Sequence, residues 1–148
     1  MPPRGRDPTA AETAFLKGHF PRLADYSVTS VADLGYNCIG WAQNPAFPVK
    51  IWPPRFYPGQ DPSALFDRFF SDLGLKRTGD RPTLEFAGTV VALYATAAGP
   101  QHAARRDAGF PGWWESKLGD YVRVMHKLEE LEGGTYGDVV AFYTRRDP

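Results

Sequence analysis

Only one cysteine, Cys38, occurs among the 148 residues. That scarcity excludes an intramolecular disulfide framework and a structural zinc site built on thiolates. Charge of one sign is equally lacking. Lys and Arg together number 17, as do Asp and Glu, so no net field draws the chain to nucleic acid or an anionic membrane. No apolar run approaches the roughly 20 residues that span a bilayer. Met1-Pro2-Pro3-Arg4-Gly5-Arg6-Asp7-Pro8 has basic residues but no following apolar stretch, so it does not read as a secretory signal. No Gly-x-Gly-x-x-Gly or P-loop pattern is present to cradle a phosphate. The three histidines are scattered, without the tight spacing of a metal site. Internal repeats and low-complexity segments are missing too. These absences lead us to expect a cytoplasmic protein that uses no cofactor or metal and binds neither nucleic acid nor membrane. Signal-less export, as for an injected effector, is compatible with the same observations.

What is abundant is Gly (15) and Pro (14), which argues for loop-rich α+β structure rather than a helical bundle. The length suits one domain. We expect residues 1–7 to be a disordered lead-in and 8–146 to form the domain. A helix is expected from Pro8 to about Phe20, a second from Cys38 to about Gln43, and a third after the Asp61-Pro62-Ser63 cap up to Gly74. Between the last two, Phe47 to Gly59 reads as a stiff loop rich in proline and aromatics. The pattern then changes to strands. Thr89 to Ala95 reads as a central strand. His102–Arg106 and Trp113–Leu118 read as an antiparallel pair around the Gly109-Phe110-Pro111-Gly112 turn. Asp120 to Leu131 is read as an amphipathic helix and Tyr136 to Thr144 as a last strand.

Cys38 sits in Tyr36-Asn37-Cys38-Ile39-Gly40-Trp41-Ala42, the entrance to the second helix. A thiol there meets the positive end of the helix dipole and free N–H groups, and both favour the thiolate. The alternative is a small buried hydrophobe, the usual fate of free cysteine. A nucleophilic thiol needs a base and a group that orients the base. His102 opens a strand next to the central one and is the expected base. Ser116 or Glu115, on the paired strand, is the expected orienter, and Asp107 is a weaker option near the turn. Asn37 and the backbone N–H of Cys38 are expected at the oxyanion. Trp41, Trp52 and Tyr57 are expected to wall the substrate cleft, although large aromatics more often build core. His126 is the competitor of His102 for the base, although on the Asp120–Leu131 helix it reads more readily as a boundary residue, and His19 lies at a frayed helix end.

Four blocks, with the Trp52-Pro53 and Tyr57-Pro58 elements, carry a resemblance: Tyr36-Asn37-Cys38-Ile39-Gly40-Trp41-Ala42, His102-Ala103-Ala104-Arg105, Trp114-Glu115-Ser116-Lys117-Leu118-Gly119, and the later His126. Together they resemble an uncharacterised bacterial domain family with Asn-Cys-Ile-Ala-Trp-Ala, His-Ala-Ala-Arg and Trp-x-Ser-Lys-Leu-Gly blocks. The likeness runs from about Gly35 to Tyr143. The order Cys then His is similar to the papain-like superfamily, which includes NlpC-type cell-wall peptidases, transglutaminases and glutamine deamidases. Asn37-Cys38-Ile39 departs from the Asp-Cys-Ser pattern of NlpC-type enzymes.

The resemblance implies a papain-like α+β fold, with helices packed on a small, mostly antiparallel sheet. It implies a thiol hydrolase or acyl-transferase acting on an amide or thioester of a peptide, protein or small molecule. Two alternatives stand beside it. One is a non-catalytic interaction module, such as an immunity or adaptor protein, using the Phe47–Gly59 loop as its surface. The other is an acyl-condensing tailoring enzyme of secondary metabolism.

Overall fold

Seven strands, each antiparallel to its neighbours, form one sheet in the computed structural model, which describes residues 1–53, 61–78 and 89–145. In chain order the elements are α1 (Ala10–His19), β1 (Ser27–Ser30), α2 (Cys38–Gln43), α3 (Pro62–Asp72), β2 (Leu75–Thr78), β3 (Thr89–Thr96), β4 (Gly99–Arg106), β5 (Trp114–Lys117), β6 (Arg123–His126), a 3-10 turn (Leu128–Leu131) and β7 (Asp138–Arg145). Across the sheet the order is β1-β6-β5-β4-β3-β7-β2.

The papain-like α+β expectation is corrected by this topology. The sheet dominates the described residues, and the helices are short and lie on both of its faces. Three segments account for the difference. Asp120–Leu131, read as one helix, instead supplies β6 and the 3-10 turn. Ser27–Ser30 and Leu75–Thr78, which fall outside the expected helices and strands, supply the two edge strands. Residues 1–7, expected as a disordered lead-in, are tied to the sheet: Arg6 bridges Val28, and Ser27 Oγ donates to the Arg4 carbonyl at 2.5 Å.

The helices start where local chemistry allows. Thr9 and Glu12 form a reciprocal capping box on α1, Asn37 caps α2, and Asp61 caps α3 with Pro62 at the first helical position. Each cap satisfies N–H groups that a helix start leaves without partners. β3 is buried on both faces through Tyr94, as its unbroken apolar run implies. One core lies on the α1 face, where Leu16 and Phe20 meet Ala92, Tyr94, Ala104, Trp114, Val124 and Phe142. The other lies under α2 and α3, where Ile39, Phe66 and Phe70 meet Val91, Leu93, Ala103 and Tyr143. Gly40 lets α2 sit tightly on the next segment, since a Cβ there would stand 1.6 Å from the Val49 carbonyl oxygen. Among the described residues no helix is long and apolar enough to cross a membrane.

Candidate functional site

β4 and β5 pair only at Arg105–Glu115 and Arg106–Trp114. Beyond those pairs β4 stays with β3 and β5 stays with β6. The two strands part, and α2 packs against both. The wedge they leave is where the four sequence blocks meet.

Cys38 enters it as the first residue of α2. The N–H groups of Ala103, Ile39 and Cys38 itself are aimed at its sulfur, and the Lys117 ammonium acts on it from β5. All four favour the thiolate. Burial outweighs them and pushes the thiol up to about 11. The lowered pKa expected from the helix entrance is therefore reversed, because the helix end offers its N–H groups inside a sealed core. Asn37, expected at the oxyanion, is already engaged: its Oδ1 accepts from Gly40 N–H at 3.0 Å and its Nδ2 donates to the Ile51 carbonyl at 2.8 Å.

His102 faces the other side of the sheet. It pairs with Tyr94 in the α1-side core, while its neighbour Ala103 faces Cys38 in the other core. Its ring lies flat on Tyr136, 4.1 Å between centroids at an interplanar angle of 1°. Its Nε2 is 2.8 Å from Ser116 Oγ, and that hydroxyl is 2.8 Å from Nε2 of His126. His126 closes the chain with Nδ1 at 2.7 Å from the Lys127 carbonyl.

The direction of every proton in this chain follows from its ends. A carbonyl only accepts, so His126 Nδ1 donates. Burial holds His126 at about 4 and His102 well below the ordinary histidine range, so both rings are neutral at pH 7. Neutral His126 Nε2 must then accept from the Ser116 hydroxyl. Ser116 Oγ in turn accepts from His102 Nε2–H. What remains is His102 Nδ1, a buried lone pair with no hydrogen-bond partner. It makes no bond to Cys38.

Ser116 thus stands where an orienter was expected. Glu115 does not: it lies on the opposite face, bound to Arg4, Arg123 and Thr29 Oγ1. Asp107 pairs with Arg4. Trp41 stacks under Arg123 at 3.9 Å, and Trp52 meets Phe66 edge-on at 5.3 Å. Tyr57 lies outside the described residues. His19 takes no part in the relay and is bonded instead to Thr135.

Two participants carry weak signals in the sequence. His126 falls on a segment that reads as a helix, yet the Gly119-Asp120 break between Ser116 and His126 is a hairpin signal. Lys117 has no signal beyond its place in the Trp114–Gly119 block. Its ammonium, fully buried, donates to the carbonyls of Asp33 (2.7 Å), Tyr36 (3.3 Å) and Gly119 (2.6 Å), and so fixes the chain that enters α2. Burial lowers its pKa, opposed by Asp33 and Asp120.

Residues 27–144 match the model of a family described as a domain of unknown function (DUF7689). That range contains the whole Gly35–Tyr143 resemblance, at the level of an uncharacterised domain, and it carries no papain-like link. No curated protein and no solved structure matches the chain.

Proposed function

The chain belongs to this family, DUF7689, whose description assigns no activity, and from its own side chains we propose that it is a cysteine-nucleophile acyl-transfer enzyme, a hydrolase or transferase of an amide or thioester. One observation carries the reading: the Ser116–His126 relay fixes His102 in the tautomer that leaves Nδ1 bare and unpartnered, one residue from the amide that meets the Cys38 sulfur. A buried lone pair without a partner costs about 1–3 kcal/mol, and a base held ready for a proton is a reason to keep it.

Both members of the pair are neutral, so the thiol is deprotonated during attack rather than beforehand. His102 Nδ1 takes the S–H proton as sulfur bonds the carbonyl carbon. The imidazolium then returns that proton to the departing nitrogen or sulfur, leaving a thioester on Cys38. Water, activated by the same base, releases the acid; a competing amine gives transfer instead. Ser116 and His126 stabilise the tautomer and the transient positive charge. The reading needs one movement, a parting of the wedge that brings the thiol to His102. Turnover of a panel of small amides and thioesters tests it. Activity lost in Cys38→Ala is the expected result; activity unchanged in that variant would sink the reading.

A specific observation favours a second reading, a non-catalytic interaction module. Cys38 and His102 face different cores without a bond between them, while Phe47 and Val49 leave 79% and 48% of their surface exposed on the loop proposed as a partner surface. An inactive wild-type chain that is stable and binds a partner through Phe47 would favour it.

A further inference from the structure

On the α2 side of the sheet, at the Arg105–Glu115 pair that holds β4 to β5, a cavity of about 330 Å³ is lined by Arg4, Arg105, Arg106, Arg145, Asp107 and Glu115, with Trp41 in its apolar wall. The charges do not cancel evenly. Arg4 bonds both carboxylates, Asp107 and Glu115 (2.6 Å to the latter). Glu115 is further bound by Arg123 and by Thr29 Oγ1 at 2.8 Å. Asp107 also accepts from the N–H groups of Gly109 and Phe110 at 2.9 and 3.0 Å. Both acids are therefore fully occupied.

Arg106 is engaged in an interaction of its own, which leaves Arg105 and Arg145. Arg105 donates to the Ala42 carbonyl at 2.6 Å, and burial lowers its pKa, with the like charge of Arg145 on the same cavity adding to the effect. Among the described residues neither meets a carboxylate. The indole N–H of Trp41, in the same wall, is buried without an acceptor. Two guanidinium groups held together beside apolar surface repel each other, and an anion between them turns that repulsion into attraction. Guanidinium groups suit oxyanions, which they grip through paired N–H donors. The apolar wall suits a ring or short chain, and the cavity has the size of a small-molecule site.

We propose that this cavity binds a small organic oxyanion, a carboxylate or phosphate carried on an apolar ring, with Arg105 and Arg145 holding the oxyanion and Trp41 covering the ring. The site uses none of the Cys38 chemistry and stands or falls without it.

Calorimetric titration of the full chain with phenyl phosphate, benzoate, inorganic phosphate and benzyl alcohol tests the site. Phenyl phosphate or benzoate is expected to bind one per chain, more weakly as salt rises. Whichever binds identifies the oxyanion. Affinity is expected to fall roughly tenfold or more in Arg145→Gln, at an exposed strand end, and in Arg105→Gln, as loss of a charge-assisted bond implies. Cys38→Ala is expected to bind unchanged. Failure of both aryl anions to bind would overturn the site. Equal binding of benzyl alcohol, equal binding of inorganic phosphate, or affinity retained in both Arg variants would overturn it as well.

Discussion

Ser116 Oγ accepts the Nε2 proton of His102 at 2.8 Å, deep between β4 and β5, and this single bond sets which nitrogen of His102 is bare. Because the same hydroxyl donates to His126, Ser116→Ala strands two buried ring nitrogens at once. We expect that variant to lose about 2–4 kcal/mol of stability, measured by urea unfolding. A loss below about 0.5 kcal/mol, the range of a neutral surface change, would mean the relay is not formed.

Acid should destabilise the fold through the same histidines. Their folded pKa values lie below the unfolded value of about 6.5, at about 4 for His126 and lower than normal for His102. Below that unfolded value the unfolded chain binds more protons. The contribution is therefore complete above about pH 6.5 and is lost as pH falls toward 4. From His126 alone it is of order 3 kcal/mol. Urea midpoints measured from neutral to mildly acid pH should fall, and His126→Asn should flatten the slope.

The thiol should be quiet in the free protein. With burial holding Cys38 near 11, iodoacetamide should modify the native chain far more slowly than the urea-unfolded chain at neutral pH. The native rate should keep rising with pH beyond the usual thiol value of about 8.5. A plateau at or below that value would contradict the buried, neutral thiol.

Lys117 holds the approach to α2 through the carbonyls of Asp33 and Tyr36, and bonds a third, Gly119, just beyond β5. Lys117→Met keeps much of the volume and removes the donors, leaving those carbonyls unpaired. We expect a loss of about 3 kcal/mol and faster amide exchange at Ile39 and Gly40 than in β3. Exchange unchanged at α2 would deny Lys117 this positioning role.

Much of this architecture was legible because local signals agreed with the tertiary result. Asp61-Pro62 announced α3, the polar-to-apolar step from Tyr36 to Ala42 announced α2, and the β4–β5 hairpin followed from the Gly109–Gly112 turn. β6 was not legible. Tyr121, Val122, Val124, Met125, Leu128 and Leu131 fit a helical spacing, yet Val124 and Met125 are both fully buried. A strand flanked by β1 and β5 and covered on both faces loses the period-two signature. That misreading also hid His126 from the site. β1 and β2 are four residues each and polar, too short for any pattern to declare itself. The pairing of His102 with Ser116 was readable from the hairpin, whereas the face on which Cys38 lies depends on where β4 leaves β5, which no local pattern encodes.

We propose that Cys38 attacks a carbonyl with His102 as its base, and intact-mass analysis of the chain mixed with a small aryl thioester reads that step itself. One acyl adduct is expected, located on Cys38, absent in Cys38→Ala and formed roughly a hundredfold more slowly in His102→Gln, the scale of general-base assistance. No adduct on the wild-type chain, or an adduct formed equally fast without His102, would contradict it.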